Sequence, residues 1–505
     1  MSRTAKLLFL AVVLLQAIFF FYISQHRLID GDEGFYLLAS RLVLQHKAPY
    51  LDFFYTQAPL LPYVYGAWLK VFGISWFSGR TFSALLTTIL GALIYKHVCD
   101  ETGRWQAAVV ASILFASSAL IFAWFAIVKT FALAILFLFT AYIIVSRLAA
   151  TTPKWLLLVA GILTGLSVDT RSYVIVIAPV LLWWIIRRTR PAPVIPAILY
   201  CAGGTIGLVP SLLLFFASPD AFLFNNLGYH ALRSGEGLVA GWKNKLEVAS
   251  GLFAGGHTGI QFSLLTLACC WLVFTRRMKR DSAVLAFVIA LVLGVVSLLP
   301  TPSEVQYFAM IVPFLIVAAV CSIRDSVHSL SNETQLRRAR TVGAVAMVVF
   351  VVASVPTLDR YLITGHKVPG LMGPADTPNW TLQRVSDVSA VIDQLATPGE
   401  EVASFWPGYI FASHADPYPG FENDFGMYVA ARLPNDKREA YHILSPAQVE
   451  EDFAHHGPHL AVIGNQGPMS GGPENTASLT VARNYGYKLV RRIGGTRIFE
   501  CCASY

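Results

Sequence analysis

The sequence predicts a polytopic α-helical membrane protein of about 11 or more spans. Interfacial helices are expected in its first outer loop, with a small C-terminal α/β domain on the extracytoplasmic face. Three observations carry this reading. Only 13% of the 505 residues are charged and 55% are hydrophobic, about half the charged share of a soluble domain. Apolar runs of spanning length recur up to residue 356 and then stop. The dense basic clusters all fall on one side of these runs, so the net charge of +8 is the footprint of membrane topology. It is not the clustered patch of a nucleic-acid binder, and nucleic acid is excluded as a partner.

The first element is "MSRTAKLLFLAVVLLQAIFFFYIS". Its basic flank and apolar run of about 18, with no small-x-small site after it, predict a retained signal-anchor helix. Further spans are expected near 78–98, 105–123, 130–147, 154–168, 172–187, 193–217, 259–275, 283–300, 305–323 and 340–356. With Arg3 and Lys6 inside, the inner connections carry Lys96, Arg104, Arg147, Lys154, Arg187, Arg188, Arg190, Arg276, Arg277, Lys279, Arg280, Arg324, Arg337, Arg338 and Arg340. The short outer ones hold only Lys129 and Arg171. That is the bias of cytoplasmic loops. The pairs 105–147 and 154–187 remain open between full double spans and re-entrant hairpins, and either choice keeps the rest of the topology. Outside lie 25–77, 218–258 and everything from 357, so residues 1–356 form the membrane domain and 357–505 the outer domain.

That tail is polar and rich in Pro and Gly. A helix is expected near 382–396, a strand at "EEVASF", a helix start at "PGYIFASHA" and a helix at 445–456. A strand at "HLAVIG", a helix near 475–485 and a hairpin turning on Gly494 and Gly495 complete it. Alternating strands and helices predict a small α/β domain. The seven cysteines show neither a disulfide framework nor zinc-type spacing.

The stretch "IDGDEGFYLLASRLVL" places Asp30, Asp32 and Glu33 directly after the first span. Asp30 and Glu33 have the spacing of a capping box, and acids in a first turn are favoured by the helix dipole. This accounts for Asp30 and for one other acid. The helix expected at 32–46 is followed by "LDFFYTQAPLLPYVYGAWLKVFG", an aromatic amphipathic segment with prolines that cannot span cleanly. Its aromatics and Lys70 fit helices lying along the interface. A carboxylate there can stay ionised and accept a proton from a hydroxyl arriving from water.

With Asp32-Glu33, Tyr36 three positions on, Ala58-Pro59 leading to Tyr63, and "GISWFSGRTFSALL" opening the next span, the chain resembles the polyprenyl-phosphate-dependent multispan glycosyltransferases of the GT-C fold. The likeness is to the branch of protein O-mannosyltransferases and lipid A aminoarabinose transferases. It implies that Asp32 is the base on the acceptor, with Glu33 beside it. The aminoarabinose transferases carry a basic residue shortly after the acidic pair and a Lys before the later Pro. Here those places hold Phe35 and Ala58, so those donor-phosphate contacts do not transfer.

A phosphate-bearing lipid still needs cations and donors on the outer side. The candidates are Lys129 in "AIVKTF", Arg171 in "SVDTRSY", His230 and Arg233 in "NNLGYHALRS", Tyr307 in "EVQYFAMIVPF", and Tyr36 and Gln57 beside the first-loop motif. A snorkelling loop lysine, a local turn contact and interfacial aromatics are the plain structural readings of the same residues. Adjacent carboxylates at Asp32 and Glu33 could attract a divalent cation, but with no third spaced ligand the sequence assigns no metal and no cofactor. The expected reaction is inverting transfer of a sugar from a polyprenyl phosphate to a glycan, lipid or protein acceptor. The expected setting is the extracytoplasmic face of a plasma (bacterial inner) membrane. A transporter or flippase is the alternative, but it calls for paired halves and ionisable residues at the midplane, and the spans are almost free of charge.

Overall fold

The computed structural model describes residues 3–149, 151–233, 237–300, 302–365, 374–455, 457–464 and 482–501. The chain divides into two compact units. One comprises Met1–Ser24, Ser83–Pro210 and Glu236–Asp359, and the other Gln25–Phe82, Ser211–Gly235 and Arg360–Tyr505.

Each of the eleven expected spans carries helix. Among the described residues, four helices are long and apolar enough to cross a membrane, Arg3–His26, Trp76–Thr102, Val305–His328 and Glu333–Thr364, or up to six if each of two bent pairs is one span. The helices Trp105–Ser117, Thr130–Ser146, Trp155–Thr170 and Asp281–Ser297 are apolar but shorter.

In the first unit the span expected at 105–123 is broken at Ser118, whose ψ of 121° is extended. The freed backbone groups are taken up by one side chain. Gln261 accepts from the Ala119 amide at 2.8 Å and donates to the carbonyls of Ser117 and Phe350, each at 2.7 Å. A broken helix at membrane depth survives only where such partners exist. Helix Trp155–Thr170 meets helix Val194–Gly207 through Gly161 and Gly165 on one side and Gly203 and Gly207 on the other, two small-x-x-x-small pairs. A Cβ on Gly161 would stand 2.1 Å from the Tyr200 carbonyl oxygen, and one on Gly203 2.1 Å from that of Leu158. Replacing Gly161 with Leu is therefore expected to cost at least about 1–3 kcal/mol by overpacking, seen as a lower unfolding temperature in detergent.

The expected inner connections carry acids as well as bases. Asp100 bonds Lys96 at 2.5 Å and Arg147 at 3.1 Å, and Asp325 pairs with Arg280 at 2.6 Å.

In the second unit the C-terminal segment builds a five-stranded sheet of order β2-β1-β3-β5-β4. The strands are β1 (Glu401–Ser404), β2 (Asp416–Pro417), β3 (Leu460–Ile463), β4 (Lys488–Ile493) and β5 (Thr496–Glu500). β1 lies parallel to β2 and β3, while β5 is antiparallel to β3 and to β4. Strand β3 reads as a continuous apolar run because every one of its residues is buried, as parallel-sheet strands covered on both faces do. The β4–β5 hairpin turns where expected, with Gly494 at φ +58°. The helices expected at 382–396 and 445–456 are Leu382–Leu395 and Pro446–Ala454. Most of the one expected near 475–485 lies outside the described residues.

The first outer loop belongs to this same unit. Helix Gly31–Leu44 is followed by the proline-started helix Leu60–Phe72. The stretch 218–258 is largely helical, with Pro219–Leu223, Tyr229–Arg233 and Leu238–Phe253.

Candidate functional site

The Asp32 helix is fixed from several directions by residues far away in sequence. At its start Asp30 accepts from the Asp32 amide at 3.1 Å, and Glu33 accepts from the Asp30 amide at 2.9 Å, completing the expected capping box. Glu33 is fully buried and is gripped by Arg80, Nε to Oε2 at 2.9 Å and Nη2 to Oε1 at 2.6 Å. Arg80 also donates to the Arg27 carbonyl at 2.5 Å. Glu33, expected beside Asp32 in the chemistry, is placed in this ion pair at the helix start. Both of its oxygens are committed to holding the helix start, and a buried carboxylate needs that pairing.

The C-terminal segment holds the same helix along its length. Trp406 Nε1 donates to the Gly31 carbonyl at 2.8 Å, one residue before Asp32. Gly34 has no room for a side chain, because a Cβ there would lie 2.7 Å from the Gly408 amide nitrogen. Arg41 is buried and donates to the carbonyls of Ile410 and Ser413 at 2.8 Å, of Ala415 at 2.5 Å, and to Asp416 at 2.6 Å. Sequence reasoning passed over Arg41. The one available signal was a lone cation inside the apolar run "LLASRLVL".

Asp32 itself is half-buried. Its charge is felt by Asp424, Tyr229 and Tyr428, and Arg233 acts on the two tyrosines as well. Asp32 and Arg233 thus both act on Tyr229 and Tyr428. Asp424 is a newcomer. It is buried, and that burial, reinforced by Asp32, pushes its carboxyl up to about 7. Phe425 beside it meets Phe35 at 5.2 Å between ring centroids, so the position expected to hold a basic residue is filled by aromatic packing. Tyr36 is buried in the same aromatic layer, 4.1 Å from Phe35 and 6.4 Å from Tyr55. Gln57 offers its backbone carbonyl to the Tyr50 hydroxyl at 2.5 Å. His230 Nε2 stands 3.0 Å from the Thr56 carbonyl, and Asn225 accepts from the Tyr55 amide at 3.0 Å. The stretch around His230 therefore braces the first-loop backbone.

Glu422, two residues before Asp424, is also buried and pushed up to about 7, mainly by that burial. Acids raised in this way stabilise the fold fully below the usual carboxylate range of about 4 and lose that contribution as pH rises through about 7. The unfolding temperature is thus expected to fall between about pH 4 and 7, and Glu422→Gln should flatten that fall. A profile unchanged in the variant would contradict the assignment.

The other candidates meet in the first unit. Arg171 is buried and donates to the Thr130 hydroxyl at 2.6 Å. Its guanidinium lies over the rings of Phe131 and Tyr173, each at 4.6 Å, and of Tyr307 at 5.1 Å. Lys129, also buried, bonds Gln306 at 3.4 Å and lies 5.4 Å from the Trp124 ring. Lys129 and Arg171 are therefore gathered, with Tyr307, at the 3-10 turn Val305–Ile311. Such a desolvated pair is suited to one anionic group. Among the described residues no group of three His, Cys, Asp or Glu could hold a metal ion.

Residues 56–215 match the family described as dolichyl-phosphate-mannose-protein mannosyltransferase. No curated protein matches the sequence significantly. The crystal structure of ArnT from Cupriavidus metallidurans bound to undecaprenyl phosphate aligns with a TM-score of 0.66 at 12% identity, covering 100% of this chain and 99% of that one. The same protein in the apo state aligns at 0.65 and 14%, covering 99% and 98%. At such identities the likeness is one of fold. The chain therefore shares its fold with this ArnT, and its residues 56–215 are similar to the dolichyl-phosphate-mannose-protein mannosyltransferases.

Proposed function

We propose that this protein is a membrane glycosyltransferase that moves a sugar from a polyprenyl-phosphate donor to an acceptor hydroxyl, with inversion. The observation that supports this most is the cluster of Lys129, Arg171, Gln306 and Tyr307, in a chain sharing its fold with an undecaprenyl-phosphate-bound protein. The two cations hold the lipid phosphate and stabilise the charge it gains as the sugar departs, the term that usually contributes most. Asp32 takes the proton of the acceptor hydroxyl. The new bond forms between that oxygen and the anomeric carbon, while the old bond breaks toward phosphate. Phosphate leaves readily, so no general acid is required. On the orientation expected from the basic connections, Asp32 and the C-terminal domain face the extracytoplasmic side of the plasma membrane.

Binding can be tested apart from turnover. Undecaprenyl phosphate should raise the unfolding temperature of the purified protein. Arg171→Ala and Lys129→Ala should each weaken that effect by roughly 10- to 100-fold in lipid concentration, the worth of one charged hydrogen bond of about 1.5–3 kcal/mol. An undiminished shift in both variants would overturn the phosphate assignment.

A further inference from the structure

The acid that sequence reasoning missed has a place in this reaction. Asp424 opens the 3-10 turn Asp424–Tyr428, which Asn423 caps by accepting from the Phe425 amide at 3.2 Å. The turn is pressed onto the first outer loop. Phe425 meets Phe35 of the Asp32 helix, and a Cβ on Gly426 would stand 3.3 Å from the Phe54 ring and 2.8 Å from Ile443. Phe54 in turn meets Tyr229 at 5.4 Å. This packing brings a buried carboxyl within electrostatic reach of Asp32. A second polar group there lacks a partner. The Nδ2 of Asn423, a residue only 3% exposed, makes no hydrogen bond. A buried donor of this kind costs about 1–3 kcal/mol unless something accepts from it.

We propose that Asp424 and Asn423 form the acceptor subsite, holding an oxygen of the hydroxyl-bearing acceptor beside Asp32. The inference rests on the transfer reaction proposed above. Two acids in one small region divide the labour when their environments push them apart. Half-buried Asp32 serves as the base, and buried Asp424 keeps a proton to donate. Through the reaction Asp424 gains and loses nothing. The acceptor O–H proton passes to Asp32, and the electron pair of the broken sugar–phosphate bond goes to phosphate. The titratable and charged groups around Asp424 are Asp32 and, on neighbouring elements and its own turn, Tyr229, Arg233 and Tyr428. For a raised acid the donor form persists below about 7 and is lost above it.

Two measurements test this. In the first, membranes containing the full chain are supplied with undecaprenyl-phospho-[14C]mannose and transfer is followed from pH 5.5 to 8.5. Asp424→Ala should lose roughly tenfold, the worth of a hydrogen bond to the substrate. Asp424→Asn, still a donor, should recover part of that, and its rate should no longer fall above pH 7. An Asp424→Ala variant as fast as wild type, or an Asp424→Asn profile identical to wild type, overturns the inference. The second measurement needs no turnover. Infrared difference spectra of the purified protein carrying Glu422→Gln, which removes the other carboxyl raised to about 7, should show a protonated carboxyl band that titrates near pH 7, vanishes on adding Asp424→Asn, and titrates lower on adding Asp32→Asn because a neighbouring charge is gone. Absence of the band, or its indifference to Asp32→Asn, overturns the coupling. Loss of all transfer by wild type with the coupled band intact would instead overturn the reaction and leave the paired acids standing.

Discussion

Replacing Asp32 with Asn is expected to lower sugar transfer by roughly 10²- to 10⁴-fold, the contribution of a positioned general base. The fold should survive the change. Asp32 contributes its backbone amide to the cap, and that bond to Asp30 does not involve the Asp32 side chain. Asn has the shape and size of Asp, so the replacement leaves no cavity. The variant should therefore reach the membrane at wild-type level, unfold at a similar temperature and still be stabilised by undecaprenyl phosphate. Asp30→Ala offers the contrast. It removes a helix cap worth about 0.5–2 kcal/mol, so it should lower stability with a smaller effect on rate. If Asp30→Ala abolished transfer in a stable protein while Asp32→Asn did not, the base would have been assigned to the wrong acid.

The second large effect is on stability. Arg80→Met should cost about 3–5 kcal/mol, because it strands Glu33 as an unpaired buried charge. Neither side chain of this pair has measurable solvent exposure. Glu33→Gln should cost less, since its amide oxygen still accepts from Asp30 and the Arg80 cation it leaves without a carboxylate still donates to the Arg27 carbonyl. The double replacement Glu33→Leu with Arg80→Met should be milder than Arg80→Met alone, as apolar substitutes for buried pairs commonly are. Unfolding temperatures of the three purified variants check this order. An Arg80→Met protein as stable as wild type would contradict the structural role assigned to Glu33.

Local signals explain why much of the fold was legible. Apolar length marks a span without reference to any other segment, and helix lies at every expected span. The β4–β5 hairpin announced itself through Gly494 and Gly495 between two apolar-alternating runs. The break at Ser118 was hidden because its cause, Gln261, lies more than a hundred residues away. Long-range pairing also hid the buried ion pair of Glu33, whose partner Arg80 is 47 positions on. Arg41 looked like an ordinary helical cation until the carbonyls around Ser413 were placed against it. Asp424 was invisible for a related reason. A carboxylate in a polar tail reads as solvated, and only folding shows that Phe425 and Gly426 carry it into an aromatic layer with the first outer loop. The first-loop motif, by contrast, pointed to Asp32 from residue order alone.

The central claim is that a polyprenyl-phosphate-linked sugar is consumed, and label transfer tests it most directly. Membranes containing the wild-type chain, supplied with undecaprenyl-phospho-[14C]mannose and other polyprenyl-phospho-sugars in turn, should release undecaprenyl phosphate from at least one donor. The label should move into an acid-stable product of inverted anomeric configuration. Membranes containing Asp32→Asn should not do so. Consumption of no such donor by the wild type, together with movement of an intact lipid-linked sugar across sealed vesicles, would contradict the account and identify a transporter instead.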